Sequence, residues 1–427
     1  MSSAWRHVRQ VIFFPCQRTL TLKTSQILPI DCIENPIADF LSIPQLSHYH
    51  RSQQTATVIA KKETINQSIR ISSMPTLKNE DKANGKQAKE EPLLPLTTGI
   101  PPWHSFAYVA TALSVTIPSL PSLQEIDAMS HPSVWTTRKF PELVSPWGLA
   151  MIRLGIAGIA LTLTMYLVLI HPGWDVYPNY KPRSKLRRVF IRLQGIGTMC
   201  PFTSWCWMIL GLGFLCRGIL ALAAAEVATA DAGEAPPPEW ASSVLNDQNF
   251  LRVTLILWEL TGPFAILVSC VVKYVIWPEA IKGGKPHKLA GFRNQLQHNC
   301  NSIFALLEVT LLGGMSVEFT HLSLATFVCV IYISFTWIMA RLYFGNKTVG
   351  PQYIYWFLDT TLEQTTTIAL VALTVALMVF FVLFSVVVGM VLGSTNTGED
   401  GPSSPPSLLL NLAFLVTGTF LVCRFKN

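Results

Sequence analysis

The stretch Thr365–Gly393, TTTIALVALTVALMVFFVLFSVVVGMVLG, carries no charged residue. A bilayer core of about 30 Å is crossed by roughly 20 apolar residues in a helix. The run therefore reads as a membrane span. Working outward, Gly148–Ile170, Ile196–Ala225, Val253–Trp277, His298–Gly314 and Leu322–Phe344 qualify as well, the fourth shorter and more polar than the rest. A seventh run, Ser407–Cys423, is short but of the same character. Ser105–Ile117 is too short to span and runs into Pro118 and Pro121, so it reads as interfacial or irregular.

Composition agrees. Of 427 residues, 32 are Lys or Arg and 25 are Asp or Glu, so 13% are charged, while 50% are hydrophobic. An ordinary soluble domain carries about 25% charged residues. Several soluble domains cannot be clothed with so little charge, which excludes a soluble enzyme, a nucleic-acid-binding domain and a disordered chain. The expected fold class is all-α: a polytopic transmembrane bundle of six to seven spans. Residues 1–100 read as a basic, polar and largely disordered region, because residues 48–100 are rich in Ser, Gln, Lys and Glu. Residues 101–147 read as an irregular or interfacial segment, 148–393 as a six-span core, and 394–427 as a loop with a possible last span.

Loop charges give the sidedness. Lys181, Arg183, Lys185, Arg187, Arg188 and Arg192 lie between the first two spans, and Lys282, Lys285, Lys288 and Arg293 between the third and fourth. The intervening loop instead carries Glu226, Asp231, Glu234, Glu239 and Asp247. Basic loops alternate with acidic ones, and the positive-inside rule puts the basic side in the cytosol. On that orientation the sequon at Asn66 faces the lumen and the one at Asn346 the cytosol.

Ionisable groups inside hydrocarbon are costly, so each needs a partner or a function. In the fourth span His298, Asn301, Ala305 and Glu308 share one helical face, which must look into the bundle or a pocket. That stripe is either inter-helix hydrogen bonding or a functional site. In the second span Arg217 lies as deep from the acidic-loop end as Glu259 does in the third, so a structural Arg217–Glu259 ion pair is expected. Toward the basic-loop end, Thr203, His298 and Asp359 share one leaflet. A hydroxyl, an imidazole and a carboxylate are the inventory of a nucleophile, a general base and the group that orients it. The nine cysteines are odd in number and show no metal-binding spacing, so neither a disulfide framework, a metal site nor a cofactor is expected.

The string His298-Asn299-Cys300-Asn301-Ser302-Ile303, followed by Leu306-Leu307-Glu308, His321, Tyr332, Trp337, Tyr355, Leu358 and Asp359, resembles the rolling stone family. Phe202-Thr203-Ser204-Trp205 and Leu257-Trp258-Glu259-Leu260 fit the same pattern, and the resemblance covers roughly residues 148–385. Rolling stone-like proteins are multi-pass membrane proteins, and the fly member is associated with myoblast fusion. The pattern is similar, more distantly, to the androgen-induced membrane proteins that hydrolyse fatty-acid esters of hydroxy fatty acids. That resemblance implies a threonine nucleophile at Thr203 and a catalytic histidine at His298. It also marks departures: those hydrolases have a second histidine where this chain has Asn301, and rolling stone proteins favour proline at Trp356 and tryptophan at Thr360. Two functions follow as expectations: a hydrolase acting on membrane lipids such as hydroxy-fatty-acid esters, or a non-enzymatic membrane organiser.

Overall fold

The computed structural model describes residues 103–186, 189–231, 233, 236–282, 291–345, 350–393 and 405–424, all within one compact unit, Pro92–Asn427. The expected disordered region, residues 1–100, and both sequon asparagines lie outside the described residues. The architecture is helical, with one small hairpin.

Helix α1, Trp103–Thr116, is followed by two short helices, α2 (Leu123–Met129) and α3 (Pro132–Thr136). Three helices thus form within the segment expected to be irregular or interfacial. Their turns are paired locally: Ser122 and Glu125 form a reciprocal capping box at the start of α2. Helix α1 also finds tertiary partners, with the Ser105 hydroxyl 2.8 Å from that of Thr367. Helix α4, Pro146–Met165, starts where Ser145 accepts from the Gly148 N–H and Pro146 supplies a preset φ. A π turn, Tyr166–Ile170, extends it. Strands β1 (Trp174–Val176) and β2 (Ile191–Leu193) then pair antiparallel, with Trp174 opposite Leu193.

The second span was expected from Ile196, but its α-helix, α5 (Phe202–Asp231), begins only after Pro201. The preceding residues, Gly195–Met199, form a separate 3₁₀ turn, so the α-helix starts on the far side of the proline. Helix α6 is Glu239–Asn246. Helix α7, Gln248–Val271, is capped by Asp247, which accepts from Asn249 and Phe250, and it continues through a π turn, Val272–Ile276, into α8, Trp277–Lys282.

The fourth expected span is helical but not a plain α-helix. It runs from α9 (Phe292–Gln295) through a π turn (Leu296–Cys300), α10 (Asn301–Leu307) and a second π turn (Glu308–Leu312). It stops at Gly313, whose φ of +107° suits only glycine, and where a Cβ would also collide with the Thr137 carbonyl. The remaining long elements are α11 (Leu322–Leu342), α12 (Gln364–Gly393) and α13 (Pro405–Val422).

Among the described residues, five helical stretches are long and apolar enough to cross a membrane: Pro146–Ile170, Phe202–Asp231, Gln248–Lys282, Phe319–Leu342 and Gln364–Leu392. The fourth and seventh expected spans fall short of that description, one by polarity and the other by length. Helices α5 and α7 form the centre, with 67% and 78% of their most apolar windows buried, against 28% for α4 and for α12. The apolar faces left open on α4 and α12 are the surfaces a bilayer would cover. Contact between α4 and α5 is close because Gly218 lies against Leu154, where a Cβ would fall 3.1 Å from the backbone nitrogen. The largest apolar cluster joins Leu220, Leu255, Trp258, Phe264, Val309, Phe381 and Val388, tying α5, α7, α10's continuation and α12 together.

Candidate functional site

Thr203 occupies the first turn of α5 and is buried, 8% exposed. Aromatic rings wall this end of the helix: Phe202 lies 4.9 Å from Tyr332 and 5.3 Å from Phe264, and Trp205 lies 5.6 Å from Tyr332. The Tyr332 hydroxyl donates to the Cys200 carbonyl at 2.8 Å, and the Ser204 hydroxyl donates to the Thr198 carbonyl at 2.8 Å. These bonds fix the entry to α5 from two sides.

The π turn that carries His298 touches this entry, and Gln297 and Ser204 line one small recess there. Helix α7 holds the turn in place: Ser269 donates to the His298 carbonyl, and the Ser302 hydroxyl is 2.8 Å from the Ala265 carbonyl. Several polar atoms here are buried and lack a hydrogen-bond partner: His298 Nδ1, both side-chain heteroatoms of Asn301, and the indole nitrogens of Trp205 and Trp207. Buried polar groups in folded proteins are nearly always paired, so such a concentration is a functional signal. A π turn in place of an α turn is a second one.

Among the described residues no hydrogen bond joins Thr203 to His298, and Asp359 bonds to neither. Its carboxylate is buried and accepts from the Ser184 hydroxyl, from Thr361 N at 2.9 Å and from the Thr361 hydroxyl at 2.7 Å. It caps the 3₁₀ turn Thr360–Leu362, and no hydrogen bond joins it to His298. The orienting role inferred from depth is thus not reflected in its bonding, because Ser184 and Thr361 hold the carboxylate instead.

The polar stripe of the fourth span faces inward, and Asn301, Ala305 and Glu308 are each 0% exposed. At its far end Glu308 binds two arginines. Arg153 Nη2 donates to Oε1 at 2.5 Å and Nε to Oε2 at 3.3 Å, while Nη1 donates to the Trp135 carbonyl. Arg217 Nη1 is 3.3 Å from Glu308 Oε1, without a well-aimed N–H, and Nε donates to the Gly213 carbonyl at 3.0 Å. The Arg217 guanidinium lies over the rings of Phe214 and Trp258, at 4.4 and 4.6 Å.

The expected Arg217–Glu259 pair is therefore corrected: Arg217 pairs with Glu308, and Glu259 binds His321 Nδ1 at 3.2 Å and accepts from Glu318 N at 3.3 Å. Depth was matched, but Glu308 reaches the same level and His321 claims Glu259. Sequence reasoning missed Arg153, whose signal was a single cation inside an otherwise apolar run. It also missed the interior position of Lys139. That ammonium donates to the carbonyls of Val309 and Val391, both at 3.3 Å, and to Asn411 Oδ1 at 2.8 Å. Burial draws its pKa down to about 8, and its three acceptors match the three N–H donors of an ammonium.

Among the described residues no cluster of His, Cys, Asp and Glu has the makings of a metal site, and the seven described cysteines are free. No family model, curated protein or solved structure matches the chain.

Proposed function

We propose that this chain is a multi-pass integral membrane protein that hydrolyses lipid esters with Thr203 as nucleophile and His298 as base. Seven passes arise if Phe292–Leu312 and Pro405–Val422 join the five long apolar helices; at 1.5 Å per residue the first of these is roughly 30 Å long. The basic loops then face the cytosol. The observation that carries the activity is the group of buried, unpartnered polar atoms where the His298 turn meets the start of α5. The Thr203 hydroxyl likewise has no side-chain hydrogen bond among the described residues.

In the reaction, Thr203 Oγ1 attacks the acyl carbon and its proton passes to His298. The departing alkoxide takes that proton, leaving an acyl-threonine. Water then attacks the acyl carbon, His298 accepts its proton, and Thr203 leaves reprotonated. The pair works as a dyad, since Asp359 is bound elsewhere. The resemblance to the androgen-induced hydrolases supports the same two residues, and hydroxy-fatty-acid esters are the substrate class that this reading favours. A nucleophile buried between helices suits a substrate that partitions into lipid.

The test is labelling of purified protein with a fluorophosphonate probe beside turnover of a branched fatty-acid ester. Both are expected to vanish in Thr203→Ala. Labelling that survives the substitution refutes the assignment. A second reading, a non-enzymatic organiser of the rolling stone kind, is favoured by one observation: most interior charges are engaged in holding helices together. It predicts no turnover by wild type or variant.

A further inference from the structure

The basic-loop end of the bundle holds a cation that no described carboxylate neutralises. Arg424, just beyond α13, is 8% exposed, and its Nη1 is buried without a hydrogen-bond partner. Its backbone is fixed: Arg424 N donates to Asn299 Oδ1 at 3.1 Å, and its carbonyl accepts from Asn299 Nδ2 at 2.7 Å. Its guanidinium stacks on Trp277, 3.3 Å from the ring centroid. A second guanidinium, Arg293, is half-buried and stacks on Trp174 at 3.9 Å. Arg293 lies in α9, and Arg424 is bonded to Asn299 in the π turn that follows it, so both are held on one stretch of the fourth span. Among the described residues neither forms an ion pair with a carboxylate.

Lys273 adds a further positive charge at the end of α13 that leads to Arg424. Its Nζ donates to the carbonyls of Phe420 and Leu421, at 2.6 and 3.0 Å, at the end of α13. The nearest acid in sequence, Glu279, is exposed and paired with Lys282. A desolvated guanidinium without a counter-ion costs far more than an exposed one, so the unpaired state calls for an anion from outside the chain. Guanidinium forks match phosphate oxygens in geometry, and stacking on an indole leaves the fork edge free to bind them.

We propose that Arg424 and Arg293 form a phosphate site that takes the headgroup of an anionic phospholipid. The inference rests on the membrane reading above and not on the hydrolase reading. The lipid source is favoured over free phosphate because the site lies at the basic-loop end, where the positive-inside rule places the cytosolic leaflet that is rich in anionic lipid. Trp174, Trp277 and Tyr274 supply the amphipathic rings that border a headgroup layer. A lipid held there would have its acyl chains beside the His298 turn.

The experiment is native mass spectrometry and thermal-shift titration of the detergent-purified full chain. The additives are phosphatidylglycerol, diacylglycerol with the same acyl chains, and inorganic phosphate. Wild type is expected to retain and be stabilised by phosphatidylglycerol, with no effect of diacylglycerol. Arg424→Gln should weaken that binding roughly tenfold, the loss of about one charge-assisted hydrogen bond. Arg293→Gln should weaken it as well, Arg424→Lys should keep part of it, and Arg183→Gln, on an exposed loop residue, should change nothing. Unchanged phosphatidylglycerol binding in both Gln variants overturns the site. Equal stabilisation by inorganic phosphate overturns the lipid assignment. If Arg424→Gln fails to fold, Arg293→Gln and Arg424→Lys carry the test. Carbonate extraction of native membranes separates the outcomes: a chain released by carbonate refutes the membrane reading, whereas a retained chain with unchanged binding refutes only the phosphate site.

Discussion

Glu308→Gln is the perturbation to which the bundle should be most sensitive. Glu308 is the sole carboxylate in contact with Arg153 and Arg217 among the described residues, and all three side chains are 1% exposed or less. The amide keeps the shape and removes the charge, leaving two desolvated guanidiniums facing each other. Removing one partner of a buried pair costs about 3–5 kcal/mol, and here two cations lose the same partner, so the upper end applies. At roughly 2–4 °C per kcal/mol for a domain of this size, the midpoint should fall by about 10–20 °C. Arg153→Leu leaves a one-to-one Arg217–Glu308 pair, so it should cost less despite removing the closer bond. The assay is thermal unfolding in detergent, followed by tryptophan fluorescence and size exclusion. Glu308→Gln unfolding within 2 °C of wild type, or Arg153→Leu costing more than Glu308→Gln, would refute the reasoning.

Two further outcomes follow from the bonding described. Asp359→Asn should destabilise by about 1–3 kcal/mol, the cost of a buried acceptor left short of its donors, while fluorophosphonate labelling proceeds at the wild-type rate. A folded variant that no longer labels would return Asp359 to the catalytic machinery. Asp127, outside the spans, is held at about 2 by hydrogen bonds from Arg252 and then Gln248. A depressed carboxylate contributes stability above its unfolded pKa of about 4 and loses it as pH falls toward 2. The thermal midpoint should therefore drop across that window, and Asp127→Asn should lack that part of the drop; an identical acid profile in the variant would contradict it.

Much of this architecture was legible because charge is scarce. Uncharged runs such as that in α12 announce themselves, and the inward stripe of Asn301, Ala305 and Glu308 followed from helical spacing alone. That Arg217 needs an acid inside the bundle was legible too. Pairing was not. Which acid Arg217 meets depends on the rotation of α5 and α7 about their axes, and on His321 claiming Glu259 from a loop. Arg153 and Lys139 were harder still, because their partners are a carboxylate, backbone carbonyls and an amide from distant segments. Asp359 bonds to Ser184 in another loop and to its own turn, a pairing that no spacing in the sequence announces.

Labelling of the wild type and of Thr203→Ala with a fluorophosphonate probe, in membranes where both fold alike, tests the central claim most directly. The wild type should be labelled and the variant unlabelled, with the modified peptide containing Thr203. Equal labelling of the two proteins, or a modified peptide elsewhere, would contradict it.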